Sequence, residues 1–407
     1  GIKRYYSIII AAVVSLISFT LTTCNPTEPI CPEPKPPGYQ EDIPWPSLAD
    51  SPWPMNHADP QSTGRSKYVG PNLGQIDWRL DSLYMGSGVS IGKDNTMYFI
   101  SFNKKGLFAV SPDGKINWQF KDIIFGAVST PIISKDGTIY ISCYAIQPDG
   151  KIKWKNNLAG GVSASMNIDK EGNIYVLAGG GSGVPKLLAV DSTGNIFWTY
   201  ENSAINNSET GGISFSPEGN AIYVTGNNPS LLAIDIYSKA LMWQFGNSPL
   251  NGAPQIDALG NIYLASEVDS INSGRYSVYC LRRDGTIKWN YDLGYEGVNR
   301  YFCEGTIDKE GNYYFATDTL YSFNYKGGIR WKLFLGESSW CSLVCDAEGT
   351  IFLNVGVSSK YFAVSKHGNV LWTIDLDNQF SGFSPALGST GHLYIPTWES
   401  KYFYAIK

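Results

Sequence analysis

A tryptophan recurs at near-regular intervals through most of this 407-residue chain. The intervals between successive members are 40, 36, 44, 45, 46, 42 and 41 residues. The members are Trp78, Trp118, Trp154, Trp198, Trp243, Trp289, Trp331 and Trp372. A repeat of about 42 residues has room for four strands of about five residues with their turns, which is one blade of a β-propeller. The spacing therefore predicts an all-β fold in which each repeat forms one four-stranded antiparallel blade.

Each repeat contains two hairpin signals. In the first half, an acidic-Gly turn joins an apolar run to a strand that opens with Ile-Tyr or a similar pair, as in residues 131–142. The second half alternates apolar and polar residues after another Gly turn and ends on the Trp, as in residues 107–118. This alternation is typical of strands with one buried face, and Gly supplies the positive φ that hairpins need. Asp-Gly pairs such as Asp113-Gly114 lack the further acidic ligands of a calcium loop, so we interpret them as turns.

The two ends of the repeat region are incomplete in complementary ways. Residues 384–407 stop before reaching a Trp, while Gln75–Leu80 is an outer-strand motif with no blade before it. A ring closed by pairing this N-terminal strand with the C-terminal blade leaves no sheet edge open. The sequence therefore predicts an eight-bladed propeller over residues 75–407, with Ile76, Trp78 and Leu80 facing inward.

The segment before the propeller has the features of an exported, anchored protein. Lys3 and Arg4 precede an apolar run over residues 5–21, and Cys24 follows it closely. This arrangement resembles the signal peptide and lipobox of bacterial lipoproteins, which predicts residues 1–24 as the signal segment and Cys24 as the lipid attachment site. An uncleaved signal anchor is the alternative. We expect membrane anchoring, with the outer membrane favoured because Asn25 is not the familiar inner-membrane retention residue.

Two short segments link this signal to the propeller. Residues 25–54 are crowded with Pro, which favours an extended conformation, and we predict a semi-rigid tether. Residues 55–74 form a lead-in segment to the first strand. The stretch Ser51–Asn72, together with the Trp-ending repeat over Gln75–Lys407, resembles the PQQ-like (quinoprotein-type) propellers. In that family each repeated Trp packs between neighbouring blades.

The resemblance also bears on a cofactor. Quinoprotein dehydrogenases are longer and hold PQQ against a vicinal disulfide with a calcium ion in the channel, whereas this chain contains no adjacent Cys pair. We therefore expect no PQQ, no other cofactor and no metal. In size, lipid anchor and blade number the chain also resembles the BamB family of outer-membrane assembly lipoproteins, a likeness at the level of the fold.

The His and Cys residues, which could serve in catalysis or metal binding, show no shared site in the repeat pattern. The three histidines are His57 in the lead-in segment, His367 in a Gly turn and His392 beside a Gly turn, and we interpret them as surface turn residues. Cys303 and Cys341 fall at one position of the innermost strand, where five other blades carry a small residue: Ser87, Ser129, Ala164, Gly211 and Gly252. Small-residue packing, a disulfide and a soft-metal site remain open for this pair. A net charge of -5 gives no basic surface for nucleic acid.

Large aromatic residues are concentrated in the loops that lead into the innermost strands of blades 6, 7, 8 and 1. The predicted binding face comprises Tyr84, Arg300, Tyr301, Phe302, Trp340, Phe380 and Phe383. Such residues either bind a partner or plug the channel. Our first hypothesis is a monomeric, non-enzymatic envelope lipoprotein that presents this face to a protein or a glycan. A quinoprotein-type enzyme and a purely structural module of an envelope assembly complex are the alternatives.

Overall fold

The computed structural model describes residues 34–407 except 105, 124–128, 142, 157–161, 180–182, 209, 269–272, 296–303, 340–341, 357–358, 378–381 and 398–401, and the side chains of 162–165 and 295. The chain divides into two compact units, Gly1–Pro37 and Gly38–Lys407. Of the first unit only residues 34–37 are described, and they form no helix or strand. Cys24 and the predicted signal segment lie outside the described residues. No helix within the described ranges is long and apolar enough to cross a membrane.

The second unit consists of eight four-stranded antiparallel sheets, which confirms the predicted propeller. Strand β1 (Ile76–Asp81) precedes seven complete blades. Blades 1 and 2 comprise β2 (Ser90–Ile91), β3 (Met97–Ser101), β4 (Gly106–Val110), β5 (Ile116–Phe120), β6 (Ile132–Ile133), β7 (Ile139–Ile141), β8 (Tyr144–Ile146) and β9 (Ile152–Lys155). Blades 3 and 4 comprise β10 (Val162–Ile168), β11 (Ile174–Ala178), β12 (Lys186–Val190), β13 (Ile196–Glu201), β14 (Ile213–Phe215), β15 (Ala221–Thr225), β16 (Leu231–Asp235) and β17 (Ala240–Phe245). Blades 5 and 6 comprise β18 (Gln255–Ile256), β19 (Ile262–Glu267), β20 (Arg275–Leu281), β21 (Ile287–Tyr295), β22 (Thr306–Ile307), β23 (Tyr313–Ala316), β24 (Thr319–Phe323) and β25 (Ile329–Phe334). Blade 7 comprises β26 (Val344–Cys345), β27 (Ile351–Val355), β28 (Lys360–Val364) and β29 (Val370–Asp375), and blade 8 begins with β30 (Ala386–Leu387), β31 (Leu393–Pro396) and β32 (Tyr402–Ile406).

Strand β1 completes blade 8, as predicted from the two incomplete ends. It pairs antiparallel with β32, with Trp78 opposite Ala405 and Leu80 opposite Phe403. The amide and carbonyl of Gln75 also exchange hydrogen bonds with those of Lys407. The two ends of the propeller are therefore held by one continuous ladder.

One feature of the outer strands corrects the predicted alternation. A β-bulge lies just before Trp78, so that Ile76 and Trp78 face consecutive residues of β32 instead of residues two apart. Ile76 is consequently 36% exposed, and the prediction that it faces inward is wrong. The same bulge recurs in the outer strands of the other blades, as between the partners of Ile116 and Trp118. An extra residue at a bulge reverses the face to which the preceding side chain points.

The repeated tryptophans join neighbouring blades through their indole rings. The Trp118 N–H donates to the Pro148 carbonyl at 3.0 Å, in the last turn of the next blade. A Cβ on Gly150 would lie 2.8 Å from that ring, and Gly150 has φ +84°, so only glycine lets the turn approach so closely. Equivalent N–H bonds to a carbonyl are made by Trp78, Trp154, Trp243, Trp331 and Trp372. This confirms the packing that the family resemblance implied.

Blade 8 has no turn between its third and fourth strands, because β32 and β1 are not consecutive in the sequence. Residues of the lead-in take its place: the Trp372 indole N–H donates to the Pro71 carbonyl at 2.9 Å. Gly74, at φ +62°, lies under the same ring. The lead-in thus supplies the missing turn of the repeat.

The Pro-rich segment is docked along part of its length, which corrects the predicted tether. We call residues 38–52 the strap and residues 53–66 the channel segment. The strap amides of Gln40 and Ala49 donate to the carbonyls of Lys309 in blade 6 and Ile133 in blade 2. Trp45 is 9% exposed and packs on Phe215. The tether prediction is therefore wrong for residues 38–54, because these residues find backbone and aromatic partners on the propeller.

Candidate functional site

The alternation of strands in a blade gives the ring two distinct faces. The first and third strands of a blade run in one direction, so the turns that follow them lie at one end, which we call the turn face. The loops that connect consecutive blades, and the loops between second and third strands, lie at the other end, which we call the loop face. Of the predicted aromatic residues, Tyr84 and Phe383 are described, and both lie in loops on the loop face.

Two of the predicted binding-face residues fall within the described part of the chain. Tyr84 is 38% exposed, and its amide donates to the Asn103 side-chain oxygen at 3.0 Å. Phe383 is partly buried against the core shared by blades 7, 8 and 1. Arg300, Tyr301, Phe302, Trp340 and Phe380 lie outside the described residues. The binding face therefore stays a prediction.

The innermost strands begin with small residues, and close contacts explain why. Ser87 and Ser129 are 0% and 2% exposed. Gly252 has φ +81°, and a Cβ there would lie 2.5 Å from Cγ of Glu304. A larger side chain at this position would collide with the neighbouring blade. Cys303 and Cys341, at the same position of the repeat, lie outside the described residues.

A buried carboxylate that the sequence analysis missed links three blades near the loop face. Glu304 is 9% exposed. Its Oε1 accepts the Ala253 N–H of blade 5 at 2.7 Å, and its Oε2 accepts the Ser342 hydroxyl of blade 7 at 2.6 Å. Because its two oxygens accept hydrogen bonds from blades 5 and 7, this carboxylate orders the channel wall. The sequence feature that could have indicated Glu304 is that an acidic residue stands directly after the position that other blades fill with a small residue.

The channel segment fills the turn-face end of the central channel. The last amide of six innermost strands donates to a carbonyl of this segment, at 2.6–3.1 Å. The donors are Ile91, Ile133, Phe215, Ile256, Ile307 and Cys345, and the acceptors are Trp53, Pro54, Pro60, Gln61, Thr63 and Gly64. In blade 3 the Asn167 side-chain amide donates to the Pro60 carbonyl at 3.0 Å. The channel segment therefore supplies carbonyl acceptors to hydrogen-bond donors at the inner ends of seven blades.

The channel segment also buries His57, which corrects its interpretation as a surface residue. The His57 side chain is fully buried, with Nδ1 2.7 Å from the Ser62 carbonyl and Nε2 2.7 Å from the Leu343 carbonyl. His57 fixes the turn of the channel segment against blade 7, because its ring touches both. His367 is exposed, and His392 is half-buried at 3.1 Å from Asp77. The three rings do not meet.

Comparison with known proteins agrees with this architecture. Residues 187–306 match the family model described as outer membrane protein assembly factor BamB. A quinohemoprotein alcohol dehydrogenase from Comamonas testosteroni is 12% identical with a TM-score of 0.61, covering 87% of this chain and 80% of that one. BamB from Moraxella catarrhalis is 15% identical with a TM-score of 0.57, covering 82% of this chain and all of that one. The fold is that of a PQQ-like β-propeller. No curated protein matches the chain.

A PQQ-like propeller can be tested for its fit to the quinone and its calcium ion. Among the described residues, no three His, Cys, Asp or Glu side chains come together as a metal site. Cys143, Cys280 and Cys345 are free thiols. Burial raises the pKa of the Cys280 thiol to about 12 and also raises that of Cys345, so neither is a reactive thiolate. The described residues therefore offer no acidic cluster for the calcium ion, and the expected absence of PQQ stays a prediction.

Proposed function

We propose that this chain is a non-enzymatic cell-envelope lipoprotein whose propeller presents its loop face to a partner protein. The observation that carries the proposal is the occupied turn-face end of the channel. Because the channel segment pairs with the innermost strands there, the loop face is the end of the ring left for a partner. The similarity of blades 3 to 5 to an outer-membrane assembly factor supports a role in assembly.

The proposed contact surface is the aromatic sector of the loop face, centred on Arg300, Tyr301, Phe302 and Trp340. Interfaces draw most of their energy from a few Trp, Tyr and Arg anchors. A ring of repeats needs similar core residues in every blade, so large aromatics confined to neighbouring loops are not required by the repeat itself. Tyr84, a described residue of the predicted binding face, is 38% exposed. A glycan is the other ligand that suits aromatic planes with nearby polar groups.

A pull-down with a double variant tests the proposal. Combining Trp340→Ala with Tyr301→Ala is expected to abolish co-purification of the partner protein from detergent-solubilised envelopes, with the Tm unchanged. Tyr237→Ala is the matched control, because Tyr237 is 68% exposed in a turn-face turn of blade 4. Unfolding of the double variant would identify those rings as core residues. A folded double variant that still binds would place the working surface elsewhere.

A further inference from the structure

Exposed apolar side chains are grouped on the turn face where the lead-in passes over blades 7 and 8. Three of them belong to the lead-in and two to the outer strand of blade 7, and each is 37% to 56% exposed. We call this group the apolar patch: Tyr68, Val69, Leu73, Val370 and Leu371. Single exposed apolar residues are ordinary, whereas a group of them marks contact with a protein or a membrane.

Backbone contacts place the first two members on the turn face. The Tyr68 carbonyl accepts the amide of Ala347 at 3.0 Å, in the turn after the first strand of blade 7. The Val69 carbonyl lies against Gly391, in the same turn of blade 8, where a Cβ on that glycine would lie 3.3 Å from the carbonyl oxygen. The lead-in therefore crosses from blade 7 to blade 8 on the turn face, and both side chains are exposed there.

The other three members lie beside the ring of Trp372. The Pro71 carbonyl accepts the indole N–H, and Gly74 lies under the same ring, so Leu73 stands between two residues that contact it. Residues 370–371 directly precede Trp372 in β29. All five members therefore lie where the lead-in meets the turn-face ends of blades 7 and 8.

The propeller repeat does not require an apolar residue at Leu73. In the other blades whose turn glycine lies under a repeated Trp, the residue before that glycine is polar. These residues are Asp113, Asp149, Thr193, Asp284, Lys326 and His367. Leu73 is the apolar member of this set, and it stands in the turn that the lead-in supplies. An exposed leucine at a position that is otherwise polar indicates a surface contact rather than a requirement of the fold.

The apolar patch lies beside the point where the chain leaves the propeller toward Cys24. The strap begins at blade 6, where a Cβ on Gly38 would lie 2.5 Å from the Glu310 carbonyl oxygen. The Glu310 carboxylate accepts Lys366 Nζ at 2.7 Å, and Lys366 stands four residues before Val370. Cys24 precedes Gly38 by 14 residues, a span of at most about 50 Å. A bilayer that holds a lipid on Cys24 is therefore within reach of the patch.

The charges around the patch do not favour one sign. Lys67 directly precedes the first member, and Glu348 lies in the blade 7 turn that the lead-in contacts; both are exposed. Lys366 is paired with Glu310. Contact with this surface therefore depends on its apolar side chains, and a bilayer of neutral phospholipid is sufficient to test it.

We propose that the apolar patch rests on the surface of a phospholipid bilayer. This inference deepens the proposed function and depends on the lipid anchor at Cys24, because the anchor supplies the bilayer as the occupant of the turn face. The side chains of Leu73 and Leu371 enter the boundary between head groups and acyl chains, and Tyr68 lies at the level of the head groups. The loop face then points away from the membrane, toward a partner protein.

Sedimentation with sucrose-loaded phosphatidylcholine vesicles tests the patch without the lipid. The protein is residues 25–407, which keeps the whole compact unit Gly38–Lys407 and all described strands but lacks Cys24 and the apolar run before it. This protein is expected to sediment with the vesicles. Leu73→Asp combined with Leu371→Asp should lower the partition coefficient about tenfold or more, because each added charge opposes burial at the membrane boundary. The Tm should be unchanged, because both leucines are more than half exposed.

Phe197→Asp combined with Met242→Asp is the matched control. Both residues stand directly before a repeated Trp, as Leu371 does, and they are 47% and 50% exposed. They lie on blades 3 and 4, which are diametrically opposed to blades 7 and 8 in a ring of eight. The control adds the same charge, so it should sediment as the parent protein does.

A fluorescence measurement decides the case in which the Leu73 and Leu371 double variant unfolds. An acetylnaphthyl amino acid, whose emission shifts to the blue in apolar surroundings, replaces Leu73 or Phe197. Vesicles are expected to shift the emission from position 73 and not from position 197.

The proposal is overturned if residues 25–407 do not sediment with the vesicles, or if the folded double variant sediments as the parent does. An equal loss in the control, or no blue shift at position 73, also overturns it. The assay contains neither a partner protein nor Cys24, so its result is independent of the loop-face partner and of acylation.

Discussion

Replacing Trp78 with alanine should weaken closure of the ring, because Trp78 lies on the strand that joins the two ends of the propeller. Its indole N–H donates to the Pro112 carbonyl of blade 1 at 2.9 Å. The same ring lies 6.0 Å from the Tyr394 ring and 5.9 Å from the Phe403 ring of blade 8, measured between centroids. The substitution removes contacts to both blades at once.

The expected cost follows from these contacts. Each aromatic pair contributes about 0.5 to 1.5 kcal/mol and the hydrogen bond about 1 kcal/mol. Because Trp78 is partly buried, the free energy of unfolding should fall by about 2 to 4 kcal/mol, which lies at the lower end of the range of about 3 to 5 kcal/mol for truncating a buried Trp.

Urea unfolding followed by circular dichroism measures the loss, and Ile76→Ala provides the matched control on the same strand. Ile76 is 36% exposed on the far side of the bulge, so its truncation should cost less than about 1 kcal/mol. Equal costs for the two variants would refute the bulged register. A cost below about 1 kcal/mol for Trp78→Ala would show that the strand is not docked.

Three further predictions concern the closing strand β1, the lipid anchor and the cofactor. The pKa of Asp77 is lowered by hydrogen bonds from Lys407 and His392. The wild type should therefore be more stable to urea than Asp77→Asn at pH values above the ordinary carboxyl pKa. This difference in stability should vanish as the pH falls through the lowered pKa of Asp77. Urea midpoints that differ equally at pH 3 and pH 7 would contradict this. The gain should stay below about 1 kcal/mol because the pair is partly exposed. Mass spectrometry of the membrane-extracted protein should find diacylglycerol on Cys24, and an unmodified Cys24 in a chain that retains residues 1–23 would disprove the anchor. Adding PQQ with calcium should leave the tryptophan fluorescence unchanged; saturable quenching, or quinone-dependent alcohol oxidation, would revive the enzyme alternative.

The number of blades and the closure of the ring could be predicted from the sequence because both depend on a repeat that is visible within each blade. Each Trp and each Gly turn recurs within a blade, and the incomplete units at the two ends indicate how they combine. The bulge could not be predicted from the sequence, because in a regular strand an apolar residue two positions before a Trp points to the same face as the Trp. It becomes visible only when the partner strand fixes the register, as at Ile76 and Ile406.

Contacts between distant parts of the chain account for the other differences. Prolines in residues 38–54 favour an extended segment, and the sequence gives no sign that such a segment finds carbonyls and amides on blades 2 and 6. The sequence around His57 in the lead-in segment predicts a surface residue, whereas its partner carbonyl on Leu343 comes from 286 residues away. Glu304 is an acidic residue beside the small-residue position of the repeat, and only the structure shows its partners in blades 5 and 7.

Site-specific photocrosslinking tests most directly the claim that the loop face is the working surface. A benzoylphenylalanine replaces Tyr84 on the loop face or Tyr237 on the turn face, and cells are irradiated before the envelope is solubilised. Both tyrosines are exposed, at 38% and 68%, so accessibility favours the turn-face site. The account predicts a discrete crosslinked partner protein from position 84 and none from position 237. A partner captured from position 237 and not from position 84 would contradict it.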